Sequence, residues 1–503
     1  MSATRPLLLR GGRLADPSHR RAPPADILVQ GGRIAAIGTA LAAPEGTEVL
    51  DASGHLIHPG LVNAHTHGHG GLSRGQGDRW TLELLLAASP WIGGGRSLED
   101  KRLSTLLCAA EMVLKGCTAA YDLTAEVPLP TREGLDAVAS AYAEVGMRAV
   151  VAPMVGDLTL WQAVPGLLDA LPDGLRRQVE ALRAAPADAI LAAMADAAAH
   201  WRWGAQGIRF ALAPTIPTHA TEALLCGCRD LARERGLRLH MHVAESRPQA
   251  LAARARWGSG PVAALDRLGL LGPGFTLAHG VWLADEELRL LADRGASLAH
   301  NPGSNMKLGN GLGRLKRALE LGLTVGIGTD GVSSADNANM YEAIRAAAAI
   351  GHAQTPEPAR WPSAEEVWHA GTRGAAAVLG MEEIGEVAIG KAADLVLLDL
   401  GVPHWLPHNA TLNQLVWAED ATAVRHVMIG GRWVVRDGRH TTLDMRRLAE
   451  EAEAARQRLE AGAAASKALF EALAPLVAGF CAGTLSQPLP VSRYLCEASG
   501  EPA

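Results

Sequence analysis

The sequence predicts an α/β fold, a (β/α)8 barrel of the TIM type with a small composite β-sandwich domain built from both chain ends. Three observations carry this prediction. The middle of the 503-residue chain alternates short apolar runs with Ala- and Leu-rich helical patterns. Both ends instead carry short β-rich runs broken by Gly pairs. His, Glu and Asp recur where the apolar runs of the middle stop, at the end of a barrel strand where chemistry is placed.

Taken in order, residues 1–60 read as the first part of the small β domain, with strands expected at 6–9, 26–30, 33–37 and 48–51 and turns at Gly11-Gly12 and Gly31-Gly32. The barrel occupies 61–385, its strands expected at 60–65, 118–123, 147–153, 208–214, 237–243, 276–280, 296–300 and 324–329. The second part of the β domain spans 386–445, where 393–399 and 423–435 resemble paired strands. Residues 446–503 form a C-terminal extension, helical in composition over 450–471 and Pro-containing from 487 onward, in which nothing reads as chemistry.

Hydrophobic residues make up 48% and charged residues 20% of the chain, a globular balance that excludes a disordered, collagenous or disulfide-stapled protein. A net charge of -6 gives no general reason to bind nucleic acid or an anionic membrane, so the expected partner is a small molecule. Six cysteines are too sparse for a stapled fold and suggest a reducing, cytoplasmic location. Cys226 and Cys228 lack a second thiolate pair nearby and read as ordinary thiols. No stretch reaches the roughly 18 apolar residues of a membrane helix. The helical stretch at 463–473 is the one local hint of a homodimer.

The chemistry concentrates at four strand ends. The first reads His58-Pro-Gly-Leu-Val-Asn-Ala-His65-Thr-His67, and alternate residues of a strand share a face, so His65 and His67 can present two imidazoles to one ion. The fifth ends His240-Met-His242-Val-Ala-Glu245, adding an imidazole and a carboxylate; His240 lies a layer deeper and reads as packing. The sixth ends Ala278-His279-Gly280 and the eighth Gly328-Thr-Asp330-Gly331. Each of these residues alone could be an ordinary loop polar group; their joint occurrence at barrel strand ends argues for a site.

These segments, with Asn301-Pro-Gly-Ser-Asn-Met-Lys-Leu308, Gly371-Thr-Arg-Gly-Ala-Ala-Ala-Val-Leu-Gly380 and Ile389-Gly-Lys-Ala-Ala-Asp-Leu-Val396, resemble the amidohydrolase superfamily, in particular its cytosine deaminase, guanine deaminase and triazine hydrolase branch. The resemblance covers all but about the last fifty residues. It implies His65, His67, His242 and Asp330 as metal ligands, Glu245 as proton shuttle, His279 as the group that polarises substrate, and Asp330 as a second proton carrier. Such a donor set suits one divalent ion per chain, Zn2+ preferred and Fe2+ the alternative, with a position left for water. A bound ion can lower the pKa of that water to about 7 and supply hydroxide at neutral pH. Two-metal relatives bridge their ions through a lysine or carboxylate at strand four, and 207–217 offers neither.

The activity implied is hydrolytic deamination of an amino-substituted N-heterocycle of purine, pyrimidine, pterin or triazine type, with release of ammonia. The alternatives are hydrolysis of a cyclic amide, as in imidazolonepropionase-like relatives, or release of halide or alkylamine. An inactive barrel scaffold is the rival from another class. Substrate contacts are expected from His69, Arg74, Gln76 and Trp80 in the loop after the HxH pair, and from His279 and Asn305. Adenosine-type members carry a Trp and an acidic ribose-binding residue in the helix after this loop, a pattern that 81–95 does not reproduce cleanly, which counts against nucleosides.

Overall fold

A computed structural model describes residues 5–494; Cys496 and the last part of the Pro-containing tail lie outside the described residues. All eight expected barrel strands form: β1 Leu61–Thr66, β2 Cys117–Ala125, β3 Arg148–Met154, β4 Ile208–Phe210, β5 Leu239–Val243, β6 Phe275–His279, β7 Ser297–His300 and β8 Thr324–Ile327. They run parallel in two four-stranded arcs, β1 to β4 and β5 to β8. A parallel bridge from Leu212 to Leu239 joins the arcs on one side, and Asp330 N donates to His65 O at 2.9 Å on the other, so the barrel closes. Helices cover the outside, which is why the strands are buried on both faces and read as continuous apolar runs. Leu98–Leu114 illustrates how such a helix is specified. Ser97 accepts from Asp100 N while the Asp100 side chain accepts from Ser97 N, and Leu103, Leu106, Ala110 and Val113 are buried along it.

The two chain ends build one sheet. Leu7–Leu14, Pro24–Gln30, Arg33–Gly38, Glu48–Asp51 and His55–Pro59 join Leu395–Asp399, Val424–Ile429, Arg432–Arg436 and Arg439–His440. The seam is the antiparallel pairing of His55–Pro59 with Leu395–Asp399. Where a sandwich of two packed sheets is expected from the sequence, all nine strands are hydrogen-bonded into a single sheet. Leu7, Leu9, Ile27, Val29, Ile57, Leu395, Leu397 and Met428 give it a core of its own. His55–Pro59 escapes the sequence reading because two histidines and a terminal proline disguise a strand. It runs through Gly60 directly into β1, tying the sheet to the barrel's first ligand strand.

The extension forms two helices, Met445–Gly462 and Ala464–Gly483, in place of the one expected over 450–471. Contrary to the sequence reading, Ala464–Ser486 is long and apolar enough by length and composition to cross a membrane. Here the helix lies on the protein, with Phe470, Leu473 and Val477 buried in a cluster that includes Leu84, Ala88, Trp161 and Leu167.

His58 closes the sheet strand and is buried, its Nε2 2.8 Å from Tyr341 Oη and its Nδ1 2.7 Å from Pro59 O. Burial holds His58 and His219 down to about 4. The unfolded chain takes up these protons near pH 6.5, the folded chain only near 4, so folding stability falls as pH drops through that window. The slope approaches about 1.4 kcal/mol per pH unit for each such histidine. The urea unfolding midpoint is therefore expected to be lower at pH 4.5 than at pH 7; equal midpoints would contradict the assignment.

Candidate active site

The strand ends converge because β1 and β8 are stitched together at their tips. Asn63 Nδ2 donates to Thr329 Oγ1 at 2.7 Å, Thr329 N returns a bond to Asn63 Oδ1 at 3.1 Å, and Thr66 Oγ1 donates to Asp330 O at 3.0 Å. Gly328 permits this approach: a Cβ there would lie 2.8 Å from both N and O of His65 and 2.4 Å from Asn301 Oδ1. The chain then turns through left-handed conformations at Asp330 (φ 61°), His279 (φ 69°) and Ala244 (φ 50°). Such backbone costs a non-glycine residue free energy and concentrates at functional sites.

Three imidazoles and a carboxylate meet at this rim. Rings of His65, His67 and His242 are 4.8 to 5.2 Å apart between centroids. His67 Nδ1 donates to Leu123 O at 2.7 Å and His242 Nδ1 to Thr215 O at 3.0 Å, which fixes both rings as the tautomer with a bare Nε2. Those two Nε2 atoms face each other at 3.2 Å. Two lone pairs so placed repel unless a cation lies between them. His65 Nε2 is buried without a hydrogen-bond partner, 3.5 Å from Asp330 Oδ1, which is itself 3.0 Å from His67 Nε2. Burial would raise the Asp330 pKa; without a cation, protons on the Nε2 side of His65 and His67 outweigh it and hold Asp330 well below the usual carboxylate range, and a bound cation would take the place of those protons. Orphaned nitrogens around one anionic oxygen fit a divalent cation.

Beside this nest lie Glu245 and His279. Glu245 Oε2 is 3.5 Å from His279 Nε2, while its Oε1 accepts from Asn310 Nδ2 at 3.0 Å. His279 Nδ1 donates to Asn305 Oδ1 at 2.9 Å. Burial, reinforced by the charges of Asp330 and Glu83, pushes Glu245 well above the usual carboxylate range, and burial lowers His279. The facing Oε2 and Nε2 are thus arranged to share one proton.

Of the expected substrate contacts, Asn305 is buried against His279 and His69 packs on His67 at 5.3 Å. Arg74 is half-exposed and pairs with Glu111, Gln76 is exposed, and Trp80 packs against Trp91 and Phe470. Arg74 turns outward because Glu111 offers it a carboxylate on the flanking helix. Two residues that the sequence did not single out, Asn310 and Glu83, also stand here, together with His240, which the sequence reads as packing. Asn310 holds Glu245. Glu83, buried on the helix Leu82–Ile92, accepts from Ser246 Oγ at 2.5 Å. His240 is more than packing: its Nε2 lies 3.2 Å from His65 Nδ1, and a proton on His65 Nδ1 in that contact leaves His65 Nε2 bare. Its parity with His242 was the available signal.

The sequence profile of the Amidohydrolase family matches residues 56–434. The chain is 34% identical over 435 residues to a 5-methylthioadenosine/S-adenosylhomocysteine deaminase of Syntrophobacter fumaroxidans, covering 86% of this chain and 92% of that one. It is 34% identical over 397 residues to a 5'-deoxyadenosine deaminase of Methanopyrus kandleri, covering 78% and 84%. Among solved structures, a zinc-bound adenosine deaminase from Xanthomonas campestris superimposes with a TM-score of 0.79 at 28% identity over 90% of this chain and 98% of that one. A zinc-complexed atrazine chlorohydrolase from Arthrobacter aurescens gives 0.79 at 27% identity over 89% and 99%.

Replacing His240 by Leu removes the partner of His65 Nδ1 while leaving the four candidate ligands in place. The expected outcome is about 10- to 100-fold weaker binding of a divalent ion, measured by chelator competition. Unchanged affinity would return His240 to packing.

Proposed function

Since the chain belongs to the amidohydrolase family and is a hydrolase of carbon–nitrogen bonds other than peptide bonds, we propose that it deaminates the 6-amino group of an adenosine-derived substrate, using one Zn2+ per chain. The Glu245–His279 pair beside the three-imidazole nest is the observation that carries the proposal. His65, His67, His242 and Asp330 would hold the ion. Three nitrogen donors and one oxygen favour zinc over iron. A single ion is supported by 207–217, which offers neither lysine nor carboxylate, and whose Thr215 is engaged through its carbonyl. When bound, the ion supplies a Lewis acid that acidifies water.

Burial favours the pair's proton on Glu245; the step uses the other state, with that proton on His279 Nε2 and Glu245 a free carboxylate. Glu245 accepts a proton from water at Oε2 and delivers it to a ring nitrogen of the substrate, making the neighbouring carbon electrophilic. His279, its ring fixed by Asn305, donates from Nε2 to the charge that develops as water's oxygen bonds to that carbon. Asp330 carries water's second proton to the departing amine, which leaves as ammonia. The ring keeps the first proton and the new carbonyl, so the atoms balance.

The curated relatives named as deaminases of adenosine derivatives support the purine reading. One observation favours a second reading, removal of halide or alkylamine from a triazine-type ring. The sole acidic residue of the helix Leu82–Ile92, Glu83, is committed to Ser246 and so is not free for a ribose, and a chlorohydrolase is among the similar structures. A cytoplasmic location is supported by the described cysteines, all of which are free.

Ammonia release by the zinc-loaded enzyme tests the proposal, across 5'-substituted adenosines, guanine, cytosine, pterins and aminotriazines. The purine reading expects activity on the adenosines. Glu245→Gln should lower kcat about 10²- to 10⁴-fold with metal content unchanged, and His242→Ala should lose the metal. Silence on every purine with chloride or amine released from triazines would establish the second reading; near-full turnover by Glu245→Gln would remove the shuttle.

A further inference from the structure

We propose that Arg493, in the C-terminal extension, is a positioning residue that clamps the loop 309–313 so that Asn310 stays on Glu245; the inference rests on the reading of Glu245 as the proton shuttle. Asn310 Nδ2 donates to Glu245 Oε1 at 3.0 Å and thereby leaves Oε2 as the oxygen that faces His279. Asn310 is itself held at both backbone polar groups: its O accepts from Trp282 Nε1 at 2.8 Å, and its N donates to Asn305 O at 2.8 Å. The rest of the loop is held by the tail. Leu312 N donates to Arg493 O at 2.9 Å, and Tyr494 Oη donates to Gly309 O at 3.3 Å. Gly311 (φ 108°) comes so close that a Cβ there would lie 3.0 Å from both Arg493 Cβ and Arg493 O.

The guanidinium reaches the other catalytic loop. Arg493 Nε donates to Val281 O at 2.6 Å and Nη2 donates to Leu283 O, two and four residues beyond His279. Tyr494 packs edge-on to Trp282 at 5.3 Å. A third tie runs from the helix after Glu245: Arg247 Nε donates to Thr484 O at 3.2 Å and Nη2 to Leu485 O at 3.3 Å. The tail therefore joins the segments that carry Glu245, His279 and Asn310, and no others of the barrel rim are needed for the clamp. Arg493 is buried, and among the described residues no carboxylate pairs with it. Its donors go to backbone carbonyls, an arrangement that needs the planar fork of arginine and that lysine cannot reproduce.

The test uses the full-length, zinc-loaded protein with Arg493→Ala, Arg493→Lys and Asn310→Leu. Hydrogen exchange is followed in 280–284 and 305–313, and kcat and KM are followed against pH. Both Arg493 variants are expected to speed exchange in the two loops and to lower kcat about ten- to a hundredfold, with KM within about twofold. Losing the Asn310 donor disfavours the charged form of Glu245, so the acid limb of kcat should move to higher pH. Asn310→Leu should produce the same shift, and combining it with Arg493→Ala should add little, as expected for residues acting through one contact. Faster exchange with an unmoved limb and unchanged kcat would reduce Arg493 to a structural anchor and overturn the proposal. Unchanged exchange in 305–313 would overturn the clamp itself. If Glu245→Gln keeps its turnover, the reading of Glu245 fails on its own account, and the exchange data still decide whether Arg493 holds the loop.

Discussion

Everything at the catalytic rim depends on two nitrogen lone pairs being forced to face each other. Leu123 O and Thr215 O, carbonyls of neighbouring segments, take the Nδ1 protons of His67 and His242 and leave the Nε2 atoms bare at 3.2 Å. In a buried site no solvent relieves that repulsion, and a cation is the natural relief. The closure of β8 on β1 then brings Asp330 to the same point and supplies the negative charge that makes such a cation welcome. The barrel is thus a device for holding mutually repelling donors together, and its apolar packing supplies the free energy that offsets their repulsion and the strained backbone at His279 and Asp330.

A second layer of order surrounds the first. His240 turns His65, Asn305 turns His279, and Asn310 assigns different work to the two oxygens of Glu245. None of these groups meets the reacting carbon in the proposed chemistry. Each removes a degree of freedom from a group that does, so reorganisation during turnover is small. Glu83 does the same for Ser246, the residue after Glu245, from a helix that also packs against the C-terminal extension.

Much of this was legible in the sequence because strand ends are local. His65, His67, His242, Glu245, His279 and Asp330 each sit at the boundary of an apolar run, and a barrel converts that one-dimensional position into a shared rim. What the sequence hid was three-dimensional. Asn310 lies in a Gly-rich loop whose partner is 65 residues away, and Arg493 reaches across 210 residues to Leu283. Neither leaves a periodic trace. Arg74 and Gln76 stand apart from the cluster: a long polar loop next to ligands resembles a pocket wall, while here Arg74 pairs with Glu111 and Gln76 is exposed. The nine-stranded sheet was half legible: its alternating runs were readable, but pairing between the chain ends depends on His55–Pro59, whose composition conceals it.

That pairing has a consequence for biosynthesis. The strand His55–Pro59 pairs with Leu7–Leu14 on one side, but its neighbour on the other, Leu395–Asp399, leaves the ribosome more than 330 residues later. At roughly 5 to 20 residues per second the interval is on the order of tens of seconds. Throughout it, Leu7, Leu9, Ile27 and Ile57 belong to a sheet with an open edge and an incomplete core. The nascent chain therefore carries an amino-terminal sheet with one unpaired edge while the barrel is assembled, an edge open to pairing with other chains until the last strands arrive.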